Sequence, residues 1–187
     1  VCTTEFIAFA KKQDDFAARN TELMGLSIDS HYSHIAWMLN IKEKFGTEIK
    51  FPIIADLSME VAQAYGMIQP GASDTSAVRT TFIIDPNGVL RAMLYYPMVA
   101  GRSVDEIYRL LVALQTGDEH KVALPENWKP GEEVIVPTPP TPVAAMARAD
   151  EGYNTVDWYF PTKSLLRPAP GGALPWAWLA YTPGPSC

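Results

Sequence analysis

Between Thr4 and Gly66 the apolar residues change period repeatedly, from that of a helix to that of a strand and back. A sheet built with crossover helices accommodates that order. Thr4 to Asn20 place Phe6, Ile7, Phe9, Ala10, Phe16 and Ala17 at near-helical spacing, with Lys11, Lys12, Asp14 and Asp15 between them, which predicts an amphipathic helix. Thr21 to Asp29 reads as a short buried strand, and Ser30 to Phe45 as a second helix with Ser30 as N-cap and Gly46 as its stop. Phe51 to Asp56 supplies a second strand, and Ser58 to Tyr65 a short third helix closed by Gly66. Such alternation implies parallel strands.

The pattern then changes. Arg79 to Asp85 and Val89 to Tyr96 are β-rich runs joined by Pro86-Asn87-Gly88, a turn signal that predicts an antiparallel hairpin. Ser103 to Thr116 follows as a helix with Val104, Ile107, Leu110, Leu111 and Leu114 on one face, Ser103 as N-cap and Gly117 as its end. A sheet that begins parallel, finishes with a hairpin and is capped by a helix has the arrangement of a thioredoxin-like fold.

The chemistry concentrates at the first helix. Its first-turn N–H groups are unpaired and carry a partial positive charge, so a thiol there is drawn toward thiolate, and Cys2 is the best nucleophile candidate. Thr3 and Thr4 can cap the turn or hydrogen-bond the sulfur. Glu5 falls one turn after Cys2, where its carboxylate suits the helix start and can hold an arginine.

Composition narrows the partners. A net charge of −6 over 187 residues leaves no basic patch to neutralise phosphates, which argues against nucleic acid and anionic membranes. No apolar run reaches membrane-spanning length, and two cysteines at opposite ends make no disulfide framework, so a reducing compartment, the cytoplasm, is expected. The chain does not begin with Met and starts at what reads as the interior of a domain, so residues upstream of Val1 are expected.

After about Leu124 proline accumulates. Pro137, Pro139, Pro140 and Pro142 predict an extended course, with Val134-Ile135-Val136 able to pair at a sheet edge. Tyr153, Val156, Trp158, Tyr159 and Phe160 are aromatic or branched side chains that a free linker does not need, which suggests packing on another surface, a second subunit being one option. Leu166 to Cys187, rich in Pro, Gly, Ala and Trp, reads as irregular. Elsewhere, His31 and His34 read as a capping or solvated pair, because no acidic or cysteine ligand stands at matching spacing for a metal. Met24, Met38 and Met59 read as core filler.

Together these residues carry a resemblance. Val-Cys-Thr-Thr-Glu opening a helix, Arg79 before Thr80-Thr81-Phe82-Ile83-Ile84-Asp85-Pro86, Tyr96-Pro97 through Gly101-Arg102-Ser103-Val104-Asp105-Glu106, the helix end Leu114-Gln115-Thr116, and Asn127-Trp128-Lys129-Pro130-Gly131 followed by Asp157-Trp158-Tyr159 resemble the peroxiredoxin family, specifically its 1-Cys group. The likeness runs in order over residues 1 to 165.

The resemblance implies an α/β, thioredoxin-like fold, a mixed sheet flanked by helices, N-terminally incomplete and followed by a proline-rich extension. It divides the chain into a core over 1–120, a dimerisation extension over 121–165 and an irregular tail over 166–187. It further implies a thiol-dependent peroxidase that reduces hydrogen peroxide and alkyl hydroperoxides through a cysteine sulfenic acid, with no cofactor and no metal. An external thiol of the thioredoxin or glutathione type would regenerate it, in a homodimer or larger homo-oligomer. Matched residue by residue, Cys2 is the peroxidatic cysteine, Arg79 the arginine that activates it, Glu5 the carboxylate that orients that arginine, and Arg102 a second arginine near the site. The family's Pro and Thr just before the cysteine fall upstream of Val1. Cys187 lacks a Val-Cys-Pro context, which weighs against a resolving role and for an external reductant. The competing reading is a non-catalytic scaffold or chaperone-type module in which Cys2 is incidental.

Overall fold

A computed structural model of the chain describes residues 1–68, 79–147, 152–165 and 176–181. They divide into two compact units, Val1–Val104 with the C-terminal strand, and Asp105–Gly172.

In the first unit, helix α1 (Cys2–Ala18) leads into strand β1 (Thr21–Ser27), helix α2 (His31–Phe45), strand β2 (Ile53–Ala55) and the short helix α3 (Glu60–Ala64). The hairpin of β3 (Arg79–Ile84) and β4 (Leu90–Tyr96) follows. Caps explain the boundaries. Ser30 accepts the Ser33 N–H at 3.2 Å, Gly46 closes α2 at φ 65°, and the Asp56 carboxylate accepts the Val61 and Ala62 N–H groups at 3.2 and 2.7 Å to start α3. At the hairpin, Asp85 Oδ1 accepts the N–H groups of Asn87 and Val89, and Gly88 turns at φ 78°.

The sheet order is β2-β1-β8-β3-β4, where β8 is Trp176–Tyr181. Strands β2, β1 and β8 run parallel, β3 runs antiparallel to β8, and β4 antiparallel to β3. The expectation of an irregular stretch over 166–187 is therefore corrected for six residues. Trp-Ala-Trp-Leu-Ala-Tyr is a strand-favouring run, and open positions on both β1 and β3 give its backbone two ladders to complete. The expected role of Cys187 lies outside the described residues.

The strands alternate between two faces. Leu26 and Phe82 join Ala62 and Met67 in a fully buried cluster, with Met24, Met59 and Ile84 packed against it. On the other face of β1, Gly25 sits under Phe6 of α1, close enough that an added Cβ would lie 3.0 Å from the Phe6 ring. Phe6 also stacks on Trp37 and Phe51 at centroid distances of 4.7 and 5.2 Å, which ties α1 to α2 and to the approach of β2.

The second unit holds most of α4 (Val104–His120), and a small sheet of order β5-β7-β6, with β5 (Val134–Ile135), β6 (Asn154–Thr155) and β7 (Pro161–Lys163). As anticipated, Val134 and Ile135 pair at its edge. Two expectations fail here. Helix α4 runs through Gly117 to His120, and Gly117 is required for a close approach instead, since a Cβ there would lie 3.1 Å from Leu124 and 3.2 Å from the Val122 carbonyl. The proline segment is not wholly extended either. Pro142 opens a short helix, α5 (Pro142–Ala147), because proline's fixed φ suits a first helical position, and Thr141 Oγ1 accepts the Ala144 N–H at 3.3 Å. Val156, Trp158 and Tyr159 stay exposed, the last two rings in edge contact at 5.7 Å.

Candidate active site

Cys2 is the first residue of α1 and is 5% exposed, a free thiol in the first turn. The pleat brings it a partner from β3. Phe82 faces the Leu26 cluster, so Arg79, three residues earlier and of opposite parity, is on the α1 face of the sheet. Its Nη1 donates to Cys2 Sγ at 3.1 Å and to Glu5 Oε2 at 3.2 Å, and its Nε to the Met98 carbonyl at 3.0 Å. At 1% exposure Arg79 is the largest fully buried side chain described.

Glu5 is held from two sides. Arg102 donates to Oε1 from its backbone N–H at 2.8 Å and from Nε at 3.1 Å, and to Oε2 from Nη2 at 2.9 Å. This is the side-on fork that suits guanidinium to carboxylate. Arg102 Nη1 donates onward to the Thr80 carbonyl at 2.7 Å, and its guanidinium carbon lies 5.9 Å from the centre of the Phe9 ring. Burial opposes ionisation of Glu5, but the hydrogen bonds and charge of Arg102, with the charge of Arg79, outweigh it and hold the carboxyl below its usual range.

All four residues singled out from the sequence therefore meet in one buried cluster. Arg102 enters it through Glu5 and Thr80, so its geometry is that of a clamp on the carboxylate. Of the two threonines, Thr4 Oγ1 donates to the Val1 carbonyl at 2.6 Å, and Thr3 Oγ1 accepts from Trp37 Nε1 at 3.3 Å. The carbonyls of Met98 and Thr80 were not foreseeable, because a backbone acceptor leaves no mark in side-chain identity. The neighbouring histidines differ from expectation. His31 is exposed against Tyr32, with ring centres 3.9 Å apart, whereas His34 is buried with neither ring nitrogen hydrogen-bonded. It is Ser30 that caps the helix, so His34 is neither cap nor solvated.

The chain also matches known proteins. Residues 1–93 match the AhpC/TSA family and residues 113–152 the C-terminal domain of 1-Cys peroxiredoxin. A peroxiredoxin of Aquifex aeolicus is 53% identical over 175 residues, covering 88% of this chain and 79% of the relative. One of Methanosarcina mazei is 52% identical over 168 residues, covering 85% and 77%. Among solved structures, yeast mitochondrial 1-Cys peroxiredoxin superposes with a TM-score of 0.77 at 35% identity, covering 88% of this chain and 80% of that one. The peroxiredoxin 6 of Arenicola marina, solved as a cysteine-to-serine mutant, superposes with a TM-score of 0.70 at 30% identity, covering 100% and 80%. Half-identical to its relatives over more than three-quarters of their length, the chain belongs to the peroxiredoxins, thiol-dependent peroxidases on a thioredoxin-like fold.

Proposed function

We propose that Cys2 is the sulfur that attacks the peroxide, that Arg79 activates it, and that Glu5 and Arg102 are positioning residues for Arg79. The observation that carries this reading is the 3.1 Å contact between Arg79 Nη1 and Cys2 Sγ inside a buried ion-pair cluster. Two guanidiniums and one carboxylate sum to +1. Arg79 thereby sets a fixed positive charge against the sulfur whose electron pair must attack.

The thiolate attacks the terminal oxygen of a hydroperoxide, forming the S–O bond as the O–O bond breaks. The alkoxide or hydroxide leaves with the bonding pair and takes a proton from solvent, and Cys2 becomes a sulfenic acid. A guanidinium beside the sulfur also faces the oxygen on which charge grows, where a fixed donor lowers the barrier. One external thiol then displaces water from the sulfenic acid to give a mixed disulfide, and a second thiol releases Cys2. The yeast relative is described with glutathione and thioredoxin systems, which supports a reductant of that type. Work from a free thiol needs a reducing compartment, which favours the cytoplasm.

Residues 121–165 serve as the dimerisation extension in this reading. Exposed Val156, Trp158, Tyr159 and Phe160 support it, because aromatics of that kind are enriched where subunits meet. The nucleophile is tested by Cys2→Ser. Peroxide consumption driven by a dithiol is expected to vanish while far-UV circular dichroism is unchanged, and consumption at the wild-type rate would remove Cys2 from the mechanism.

A further inference from the structure

Strand β4 ends opposite the residue with which β3 begins: in the hairpin register Tyr96 is the partner of Arg79. The chain then folds back on itself. Residues 97–100 form a tight turn, closed by the Ala100 N–H donating to the Pro97 carbonyl at 3.0 Å. From inside that turn the Met98 carbonyl accepts Arg79 Nε at 3.0 Å, and two residues past it the Arg102 N–H donates to Glu5 Oε1 at 2.8 Å. One short loop, 97–102, therefore carries a backbone acceptor for the activating arginine and a backbone donor for the carboxylate that shares it. Val99 at its tip is 89% exposed, so burial of the tip does not hold the turn.

A guanidinium is rigid and planar, and its Nε and Nη1 donate in different directions from that plane's edge. Nη1 is shared between Cys2 Sγ at 3.1 Å and Glu5 Oε2 at 3.2 Å. Bonds at a single nitrogen leave the plane able to swing about it, and a bond from Nε stops the swing. We propose that the Met98 carbonyl is a positioning group for Arg79, and that the 97–100 turn serves to hold this oxygen where it aims Nη1 at the sulfur. A swing of about 1 Å already takes a contact of 3.1 Å out of hydrogen-bond range. Because the acceptor is main chain, the shape of the turn sets its place, whatever side chain stands at position 98.

The inference rests on the role given above to Arg79, and its test separates the two. In the full chain Val99 is replaced by the α-hydroxy acid that bears the same side chain. The Met98–Val99 amide becomes an ester, whose carbonyl is a weaker acceptor, and every side chain is kept. Single-turnover stopped-flow gives the rate of Cys2 with hydrogen peroxide in the wild-type and Arg79→Gln backgrounds, and far-UV circular dichroism checks the fold. With Arg79 in place the ester is expected to slow the reaction at least about three-fold, as halving one hydrogen bond to a charged group implies. In the Arg79→Gln background it is expected to change the rate by less than about two-fold, because no guanidinium is left to aim, so the two changes are non-additive. Ala100→Pro removes the N–H that closes the turn and is expected to slow the reaction in the same way, again only where Arg79 is present. Equal slowing in both backgrounds overturns the proposal, since the turn would then act on the fold or on Cys2 and not through Arg79. So does a folded ester protein that reacts at the wild-type rate. An Arg79→Gln chain that by itself reacts like wild type would instead overturn the role of Arg79 on which the inference stands.

Discussion

Replacing Arg79 by Gln tests the centre most directly. The substitution removes the Nη1 donor to Cys2 Sγ at 3.1 Å, the 3.2 Å link to Glu5 and the 3.0 Å anchor on the Met98 carbonyl. Hydrogen bonds that involve a charged group are worth about 1.5–3 kcal/mol, and each 1.36 kcal/mol is a factor of ten in rate, so the second-order constant with hydrogen peroxide should fall about 10- to 150-fold. The fold should survive, because Glu5 keeps its three hydrogen bonds from Arg102. Single-turnover stopped-flow measures the rate, and circular dichroism with a urea midpoint confirms the fold. Arg79→Lys refines the test. A lysine keeps the charge but has no planar fork to meet sulfur, carboxylate and carbonyl together, so it should recover only part of the loss. A folded Arg79→Gln protein reacting within about two-fold of wild type would refute the reasoning, since the guanidinium would then contribute nothing to attack.

Glu5→Gln leaves two buried guanidiniums without their shared carboxylate and should destabilise the chain by about 3–5 kcal/mol in urea unfolding. The Glu5 carboxyl titrates lower in the folded chain than in the unfolded one, so its contribution is present above about pH 4.5 and lost as acid protonates the folded form; wild-type stability should fall on that acid limb, and the variant's should fall less. Burial, opposed by Asp29 and aided by His31, depresses His34, so the unfolded chain takes up the proton first and stability should decline as pH drops below about 6.5, by at most about 1.4 kcal/mol per pH unit. A His34→Gln chain should lack that slope, and an identical slope would place its origin elsewhere. Gly25→Ala puts a methyl 3.0 Å from the Phe6 ring and 3.4 Å from Ile53, and should cost about 1–3 kcal/mol by overpacking, read from the urea midpoint.

Much of this was legible in the residues. Ser30 and Gly46 bounded α2 to the residue, and Pro86-Asn87-Gly88 marked the hairpin, because caps and tight turns are written in local chemistry. The cluster of Cys2, Glu5, Arg79 and Arg102 was legible through family resemblance. That Glu5 grips both arginines was not, because it depends on how α1 and the hairpin meet. Gly117 misled because the same residue serves a helix stop and a close packing contact, and only the neighbouring Leu124 decides between them. The strand at Trp176–Tyr181 was hidden for a different reason. Its sequence is strand-like, but prolines and glycines surround it, and what makes it a strand is the slot between β1 and β3, formed by residues far away.

That sheet order also bears on how the protein is made. Of the described elements β8 leaves the ribosome last, 80 residues after the end of β4. At about 5–20 residues per second, about 4–16 s of synthesis separate the two. The ladders that β8 makes with β1 and β3 therefore close only after the other described strands have been made.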